Sequence, residues 1–301
     1  MDFGNQWILC LIKINLRLFG VQRNLGNCGI KIYVFLCHIF HVICYTMNDY
    51  KTLAKNARIA VLGLVHQAQI SHIASNLSVI DIATVLYENV NLKLDRVVWS
   101  AGWKAATIYY FLNKKGMITD AQLAQFPSAP FYGLAETEVP GVEVNGGSMG
   151  HGLPVAVGMA FAKKRAGEEG KVYCIMSEGE QNEGSVWEAA MLAVHHKLDN
   201  LVAIIDVNKI QAMGYTKDII DLEPLEDRWS GFGWEVCRID GHAYDEIELN
   251  MKAVTQGRPR VLIADTVKGK GVSFMEGQLL YHYKSIDDET YEKALIELQN
   301  D

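Results

Sequence analysis

The sequence predicts an α/β fold in which a doubly wound, mostly parallel sheet carries helices on both faces. Short apolar runs rich in β-branched residues, such as Val172–Met176 and Leu201–Val207, have the length and composition of buried strands. Segments with helical periodicity alternate with these runs, and no hairpin signal joins two of them, which favours parallel strands. Polar turns containing glycine follow at least four of the strands and are therefore expected along one edge of the sheet.

The predicted elements follow one another from Met47 onward. The helices, each with apolar residues at helical spacing, are Asp49–Gln69, Ser78–Tyr87, Trp103–Lys115, Pro154–Arg165, Ser185–Leu198, Asp245–Thr255 and Asp287–Leu298. The strands, each a short apolar run ended by a polar turn, are Arg96–Ser100, Val172–Met176, Leu201–Val207, Glu235–Ile239 and Arg260–Thr266. Ser78 is expected to cap the second helix, with Asp81 completing a capping box. Prolines and glycines make residues 126–146 a loop, and Trp229–Trp234 is expected to be an aromatic-glycine turn.

The first 46 residues differ in composition from the rest of the chain. They hold four of the six cysteines, with no CxxC pair among them. Their apolar run, Ile32–Tyr45, is 14 residues long, which is short for a membrane span. We interpret Met47 as the natural start and residues 1–46 as translated upstream sequence outside the fold, with a peripheral membrane anchor as the alternative.

Composition limits the class of protein. The chain has 301 residues, a hydrophobic content of 50% and a net charge of −7, which together favour a globular protein with a substantial core. The negative charge argues against a nucleic-acid surface. The two remaining cysteines, Cys174 and Cys237, lie in apolar strand contexts, as expected of reduced core residues in a cytosolic protein.

Residues 171–214 contain the stretch with the clearest chemical content. It is predicted to run strand, acidic glycine turn, helix, strand and polar turn, and the two strands of such a unit are parallel neighbours. Glu178 and Asn208 would then leave adjacent strand ends beside a helix N-terminus. A carboxylate and an amide oxygen in that position could hold Mg²⁺ and a diphosphate bridged by it. Ordinary solvated turns are the alternative at this point.

A second glycine turn precedes the helix predicted at Pro154–Arg165. The string Gly147–Gly152 contains G-x-x-G-x-G, and such a turn lets the backbone approach a flat ligand, although a plain helix N-terminus gives the same pattern. Glu143 and Asn145 interrupt the segment before it, so no buried strand leads into the glycines. A dinucleotide-binding module is therefore disfavoured.

Seven strings together carry a resemblance to a known family: SHIASNLS, WSAGWKAA, PGVEVNGGSMGHGLPVAVGMAFAKK, SEGEQNEGSVWEA, LDNLVAIIDVNKIQ, GFGWEVCRIDGH and TVKGKGVSFMEG. In order and spacing, including the 30 residues from Glu178 to Asn208, they resemble the N-terminal part of transketolase, from Met47 to about Lys284. The resemblance implies that residues 47–301 form a diphosphate-binding domain. It also implies thiamine diphosphate as cofactor and transfer of a two-carbon ketol unit between sugar phosphates.

The resemblance also implies roles for individual residues. Glu178, Asn208 and the backbone carbonyl of Ile210 would bind Mg²⁺. The residues implied to contact thiamine diphosphate are Gly147, Met149, Gly150, Ser177, Gly179, Asn208 and Trp103. Gly147 and Met149 would lie against its aminopyrimidine ring.

Three further residues would take part in catalysis. His72, in a turn expected at Ile70–Ser78, and His282 would face the reacting carbonyl and the sugar hydroxyls. A single turn histidine is more often only solvated, so this role rests on the resemblance. Glu183 would reach across a dimer interface towards the partner's pyrimidine-activating glutamate.

Several positions depart from the family pattern. Glu178 replaces the metal-binding aspartate and adds a methylene, roughly 1.5 Å of reach, so Mn²⁺ or Ca²⁺ could be accommodated more easily than Mg²⁺. Ser177 replaces a glycine, and Trp103 and Leu134 stand where the family has histidines. The alternatives are therefore a related thiamine-diphosphate enzyme with a different donor or acceptor, or a non-catalytic scaffold subunit.

The resemblance further implies a partner chain. Nothing after Lys284 resembles the pyrimidine-binding and C-terminal domains of a full transketolase, as in the split transketolases, whose subunits are separate polypeptides. We therefore expect a separate C-terminal subunit in an α2β2 assembly, no activity of this chain alone, and sugar phosphates as substrates. The enzyme is expected to be cytoplasmic, without a nucleic-acid or membrane partner.

Overall fold

A computed structural model describes residues 50–300 of the chain. The interpretation of residues 1–46, and the start at Met47, lie outside these described residues and stay predictions. Within residues 50–300, no helix is long and apolar enough to cross a membrane.

The central sheet has five strands, and all of them are parallel. The seven strands of the described residues are β1 (Arg96–Trp99), β2 (Val172–Ser177), β3 (Leu201–Val207), β4 (Ile210–Gln211), β5 (Gly214–Tyr215), β6 (Glu235–Asp240) and β7 (Arg260–Asp265). The large sheet has the order β1-β2-β3-β7-β6, and each neighbouring pair is parallel. All five strands predicted from the sequence are therefore confirmed, as is the pairing of the two strands in residues 171–214.

The register of the sheet brings the polar turns together. Ser177 lies opposite Asp206 across the β2–β3 pair, and Val207 lies opposite Asp265 across the β3–β7 pair. The turns that follow β2, β3 and β7 consequently leave the same edge of the sheet. This is the carboxyl edge, where parallel sheets bind ligands.

Helices cover both faces of the sheet. The α-helices are α1 (50–68), α2 (Ile73–Ser78), α3 (Ile80–Asn89), α4 (Ala105–Lys114), α5 (Asp120–Leu123), α6 (Gly152–Ala166), α7 (Gly184–His195), α8 (Thr216–Ile219), α9 (Leu225–Gly231), α10 (Tyr244–Lys252) and α11 (Asp288–Asn300). Two short 3₁₀ segments, Gly179–Asn182 and Leu279–His282, lie at the carboxyl edge. The doubly wound α/β fold predicted from the sequence is confirmed.

The core is divided into two clusters by the sheet. In β3, Val202 and Ile204 pack with the cluster that contains α1, α3 and α4, whereas Ala203 and Ile205 pack with the cluster that contains α6 and α7. This alternation follows from the two-residue period of a strand, and burying each such aliphatic side chain stabilises the fold by about 1.5–3 kcal/mol. The polar turns at the sheet edge are thereby held on a rigid support.

The predicted start of the second helix is wrong. Ser78 ends α2 and caps nothing, because its hydroxyl donates to Ser75 O at 3.0 Å and to Asp206 Oδ2 at 2.7 Å. Asp81 forms no capping box either, since its carboxylate accepts from His242 Nδ1 at 2.7 Å and from the Tyr244 hydroxyl at 2.9 Å. Local rules assign both side chains to a helix end, but each is instead bound by residues that are distant in the sequence.

Two further local predictions are corrected. Trp229 belongs to α9 and is fully buried, because Leu225 and Trp229 are one helical turn apart and fill the second core cluster. A small antiparallel hairpin, β4–β5, follows β3, although the sequence carried no hairpin signal. Its connection contains neither Asn-Gly nor Asp-Gly, the dipeptides by which such turns are recognised.

Candidate functional site

A cleft at the carboxyl edge of the sheet gathers most of the residues expected to form the site. Ten of these residues line it: His72, Trp103, Gly147, Met149, Ser177, Glu178, Gly179, Asn208, Ile210 and His282. Six others that the sequence had not singled out line it too: Ser75, Lys104, Gln211, Ala212, Lys268 and Tyr283. Only Gly150 and Glu183 of the expected residues lie outside this lining.

Glu178 is the first residue after β2 and is buried at the floor of the cleft. Its Oε2 accepts a hydrogen bond from the backbone N–H of Lys209 at 2.7 Å. Burial raises the pKa of Glu178 to about 7. The hydrogen bond from Lys209 lowers this pKa, whereas the nearby negative charge of Asp206 raises it further. With this pKa the carboxyl group is partly protonated at pH 7. A bound cation would lower the pKa and so favour the ionised carboxylate.

Asn208 and Ile210 complete the expected metal donor set. Asn208 Nδ2 donates to Asp206 Oδ2 at 3.0 Å, and its Oδ1 accepts from Ile210 N–H at 3.3 Å. The Ile210 carbonyl accepts from the Lys268 ammonium at 3.1 Å, so a cationic group already lies on it. Carboxylate, amide and carbonyl oxygens are the ligands that Mg²⁺ and Ca²⁺ take. Residues 50–300 contain no cluster of three or more His, Cys, Asp or Glu side chains suited to a metal.

Lys268 lines the cleft and was not among the site residues expected from the sequence. It follows β7 and is buried, with Nζ 3.1 Å from Ile210 O and 3.0 Å from His282 Nδ1. Burial, together with the charge of Lys104, lowers the pKa of Lys268 to about 7, while Asp206 and Glu178 oppose the shift. The basic glycine loop after β7 was visible in the sequence as a signal, but no role had been assigned to its first lysine.

The cleft also holds a donor that suits an anion such as a diphosphate. The amide nitrogen Nε2 of Gln211 is buried there and has no hydrogen-bond partner among the described residues. Gly179 lies beneath Gln211, and a Cβ added at this glycine would come within 3.0 Å of the Gln211 side chain. An unpaired buried donor is costly, so it is evidence for a missing acceptor. The Lys268 ammonium in the same cleft supplies the charge to match.

The two histidines expected in the site lie against each other. His72 has a left-handed backbone, with φ 72°, and its N–H donates to the His282 carbonyl at 3.1 Å. The ring centroids are 5.0 Å apart. Burial and the charge of Lys268 lower the pKa of His72 to about 4 and that of His282 to about 3. Both imidazoles are therefore neutral at pH 7. With Lys268 donating to Nδ1, the tautomer of His282 carries its proton on Nε2.

Asp206 and Lys104 form a buried ion pair behind these residues. Lys104 Nζ lies 2.6 Å from Asp206 Oδ2, and both side chains are almost completely buried. Burial opposes the ionisation of Asp206, but Lys104 and the hydroxyls of Thr266 and Ser78 outweigh it and lower the pKa of this carboxyl. The sequence placed Asp206 in a strand and Lys104 in a helix, with no sign that the two would meet.

Glu180 is another buried carboxyl group that sequence reasoning missed. Its side chain accepts from Ser177 N–H at 2.9 Å and from the Ser100 hydroxyl, and the same hydroxyl accepts from Gly152 N–H at 3.0 Å. Burial raises the pKa of Glu180 to about 7. This side chain ties the ends of β1 and β2 to the glycine turn before α6, which positions one wall of the cleft.

Gly150 and Glu183 lie beside the cleft. The Gly150 carbonyl accepts from the Ser185 hydroxyl at 2.8 Å, and Gly150 itself has φ 77°. A Cβ at Gly150 would lie 2.7 Å from Glu183 Cβ, so the glycine turn and the start of α7 are in close contact. Glu183 precedes α7 without capping it, and its side chain is half-buried.

Two of the positions that depart from the family pattern, Trp103 and Leu134, place large apolar side chains at or beside the cleft. Trp103 lines the cleft and is half-buried. Leu134 is 40% exposed and covers Gly147, since a Cβ at this glycine would lie 3.1 Å from Leu134 Cδ1. No histidine stands at either position, so His72 and His282 are the histidines that line this cleft.

Oxygen atoms suited to binding a divalent cation and hydrogen-bond donors suited to binding an anion thus meet at the carboxyl edge of a doubly wound sheet. This arrangement indicates the class of protein: an α/β domain with a diphosphate-binding site at the carboxyl edge of its sheet. The chain belongs to the transketolase family, because the family profile described as transketolase, thiamine diphosphate binding domain, matches residues 50–298. The resemblance stated from the sequence is confirmed.

Relatives of similar length support the same assignment. One subunit of the apulose-4-phosphate transketolase from Phocaeicola vulgatus is 41% identical over 250 residues, which cover 78% of this chain and 88% of that protein. The 6-deoxy-6-sulfo-D-fructose transketolase subunit SqwG from a Clostridium species is 36% identical, covering 77% of this chain and 90% of that protein. Both are transferase subunits of the transketolase type by name, and the chain corresponds to nearly all of each.

Solved structures of full transketolases share the fold. The transketolase of Campylobacter jejuni superposes with a TM-score of 0.77 at 30% identity, over 83% of this chain and 43% of that protein. This chain therefore spans less than half the length of a full transketolase. The match covers the described α/β domain.

Proposed function

We propose that this chain is the N-terminal subunit of a two-chain transketolase, which transfers a two-carbon ketol unit from a ketose phosphate to an aldose phosphate. The observation that carries the proposal is the meeting of Glu178, Asn208 and the Ile210 carbonyl with the Lys268 ammonium in one cleft. Relatives of this length named as transketolase subunits support it.

Thiamine diphosphate supplies the reactive carbon centre when it is bound, and this chain would hold its diphosphate end. Glu178, Asn208 and the Ile210 carbonyl would bind Mg²⁺, and the longer reach of Glu178 would also admit Mn²⁺ or Ca²⁺. Lys268 and the unpaired Gln211 amide would donate hydrogen bonds to the phosphate oxygens. Ionising Glu178 is unfavourable without a cation, so metal and diphosphate are expected to bind together.

His72 and His282 would act on the sugar as neutral hydrogen-bond donors. Their low pKa values leave both rings uncharged at pH 7, so each can donate one N–H to an oxygen on which negative charge develops. The Lys268 contact holds the proton of His282 on Nε2, the ring nitrogen that Lys268 does not contact. Gly147 and Met149, at the mouth of the cleft, would contact the ring end of the cofactor.

A separate C-terminal subunit would supply the pyrimidine-binding and C-terminal domains, in an α2β2 assembly. Glu183 lies outside the cleft at the start of α7, where its side chain is available to such a partner. We place the enzyme in the cytoplasm, and the free thiols of Cys174 and Cys237 support this location.

The test is a product analysis of the reconstituted two-chain complex. With xylulose 5-phosphate, ribose 5-phosphate, thiamine diphosphate and Mg²⁺, a seven-carbon sugar phosphate is the expected product. This chain alone is expected to give none. A complex that binds neither thiamine diphosphate nor Mg²⁺ would overturn the proposal and leave a scaffold role.

A second candidate is ketol transfer with a different donor or acceptor. It is favoured by Trp103 in the cleft lining and by Leu134 beside it, against Gly147, because neither offers the acceptor and donor nitrogens that a histidine would present to a sugar hydroxyl or phosphate. Relatives named for apulose 4-phosphate and 6-deoxy-6-sulfofructose point the same way. Cofactor binding without a seven-carbon product, but with turnover of such sugars, would select this candidate.

A further inference from the structure

Asp206 is the most highly connected buried carboxylate near the cleft. It has no exposed surface, and its Oδ2 accepts from Lys104 Nζ at 2.6 Å, from Ser78 Oγ at 2.7 Å and from Asn208 Nδ2 at 3.0 Å. The Thr266 hydroxyl donates to its other oxygen. Lys104 balances the charge of the carboxylate, and the hydroxyls of Ser78 and Thr266 add two neutral donors. The fourth donor, Asn208, is a residue expected to bind the metal.

The contact between Asp206 and Asn208 determines which end of an amide faces the cation. A side-chain amide has a donor end and an acceptor end, and a carboxylate accepts only from the donor end. With Nδ2 held by Asp206, Asn208 must point Oδ1 away from it, on the side of Ile210. The reversed amide would set two oxygens against each other in a buried site.

Lys104 keeps this arrangement in place. Its side chain is 1% exposed, and its ammonium also donates to the Ser75 carbonyl at 2.6 Å, so it joins α2 to the end of β3. A buried carboxylate without a cationic partner is strongly disfavoured. Lys104 is therefore what allows Asp206 to remain a charged acceptor for Asn208.

We propose that Lys104 and Asp206 are a positioning pair, which orients the Asn208 amide so that its oxygen is available to the divalent cation. The inference rests on the proposed function, because it takes Asn208 as a metal ligand. Neither residue touches the metal or the cofactor in this scheme. Groups that orient metal ligands from behind typically contribute a factor of about 10–100 to metal affinity.

The test measures Mn²⁺ affinity by electron paramagnetic resonance, with the reconstituted two-chain complex and saturating thiamine diphosphate. Lys104→Met and Asp206→Leu, which removes the acceptor for Asn208, are each expected to raise the Mn²⁺ dissociation constant about 10–100-fold. The number of sites per total chain should stay the same. A purely structural role would instead reduce the number of sites by unfolding part of the sample, leaving the remaining sites with normal affinity.

Two further variants sharpen the test. Lys164→Met is the control. It removes an exposed lysine that pairs with Asp199 at 2.7 Å, near the N-terminal end of β3 and so away from Asn208, and this variant is expected to bind Mn²⁺ as the wild type does. The double variant Lys104→Met/Asp206→Leu should match Asp206→Leu alone, because Lys104 acts through Asp206.

The outcomes distinguish a failure of the positioning pair from a failure of the proposed function. Wild-type affinity in Lys104→Met and Asp206→Leu, with binding intact in the wild type, would overturn the positioning pair and leave the proposed function standing. Additive losses in the double variant would overturn the action of Lys104 through Asp206. A wild-type complex that binds no Mn²⁺ with thiamine diphosphate would overturn both proposals.

Discussion

Replacing Glu178 by glutamine should stabilise the metal-free protein while removing its metal site. Glu178 is 8% exposed, and no cationic side chain among the described residues pairs with it to hold it ionised. Its Oε2 accepts from the Lys209 N–H, and the glutamine amide oxygen can accept the same hydrogen bond. The exchange therefore removes a buried charge at nearly constant shape.

The magnitude follows from the pKa. Burial raises the pKa of Glu178 from 4.5 to about 7, so the folded state binds more protons than the unfolded state between these values. Stability accordingly falls as the pH rises from about 4.5 to about 7 and is constant above that. The difference of about 2.5 pKa units corresponds to about 3 kcal/mol at pH 8. Glu178→Gln should recover a gain of this order at pH 8 and almost none at pH 4.5.

Urea unfolding in the presence of EDTA, at pH 8 and at pH 4.5, measures both values. Glu292→Gln is a matched control, because Glu292 is an exposed helical glutamate and its exchange should change the free energy of unfolding little at either pH. A Glu178→Gln protein that is no more stable than the wild type at pH 8 would refute the reasoning. An equal gain at both pH values would refute it too, since burial of the charge could not then be the cause.

Three other substitutions give distinct outcomes. Lys268→Met should weaken thiamine diphosphate binding roughly 10–100-fold in calorimetry, the value of one charge-assisted hydrogen bond, and unchanged affinity would exclude Lys268 as a diphosphate donor. His282→Ala should lower kcat of the reconstituted complex by about 10²–10⁴, with little change in Mn²⁺ affinity, and an unaffected kcat would contradict its role as a donor to the sugar. Glu178→Asp should raise the affinity for Mg²⁺ relative to Mn²⁺ in competition binding, because the shorter carboxylate suits the smaller ion; a lower ratio would show that the backbone had already adapted to glutamate.

The fold could be predicted from the sequence because each strand and helix is determined by patterns within a few residues. Val172–Met176 and Leu201–Val207 are apolar runs of strand length, and the segment between them has helical periodicity. Parallel neighbours follow from that order with few alternatives. Glu178 and Asn208 could be placed at one edge for the same reason, because each directly follows a strand.

Local rules failed where a distant residue competed for the same side chain. Ser78 was suited to cap a helix, but its hydroxyl is bound by Asp206, 128 residues away. Trp229 was assigned to a turn by its neighbouring glycines, yet burial in the core placed it in α9. In both cases the free energy of a tertiary contact exceeded a local preference of about 1 kcal/mol.

The site was therefore only half determined by the sequence. Positions directly after predicted strands identified the acidic turn at Glu178 and the amide at Asn208, whereas the histidines were assigned from the resemblance to transketolase. Only the tertiary structure showed that Lys104 pairs with Asp206 across 102 residues and that Lys268 reaches Ile210 across 58. Such contacts depend on how three loops converge at one sheet edge. Convergence is a property of packing, and no spacing along the chain encodes it.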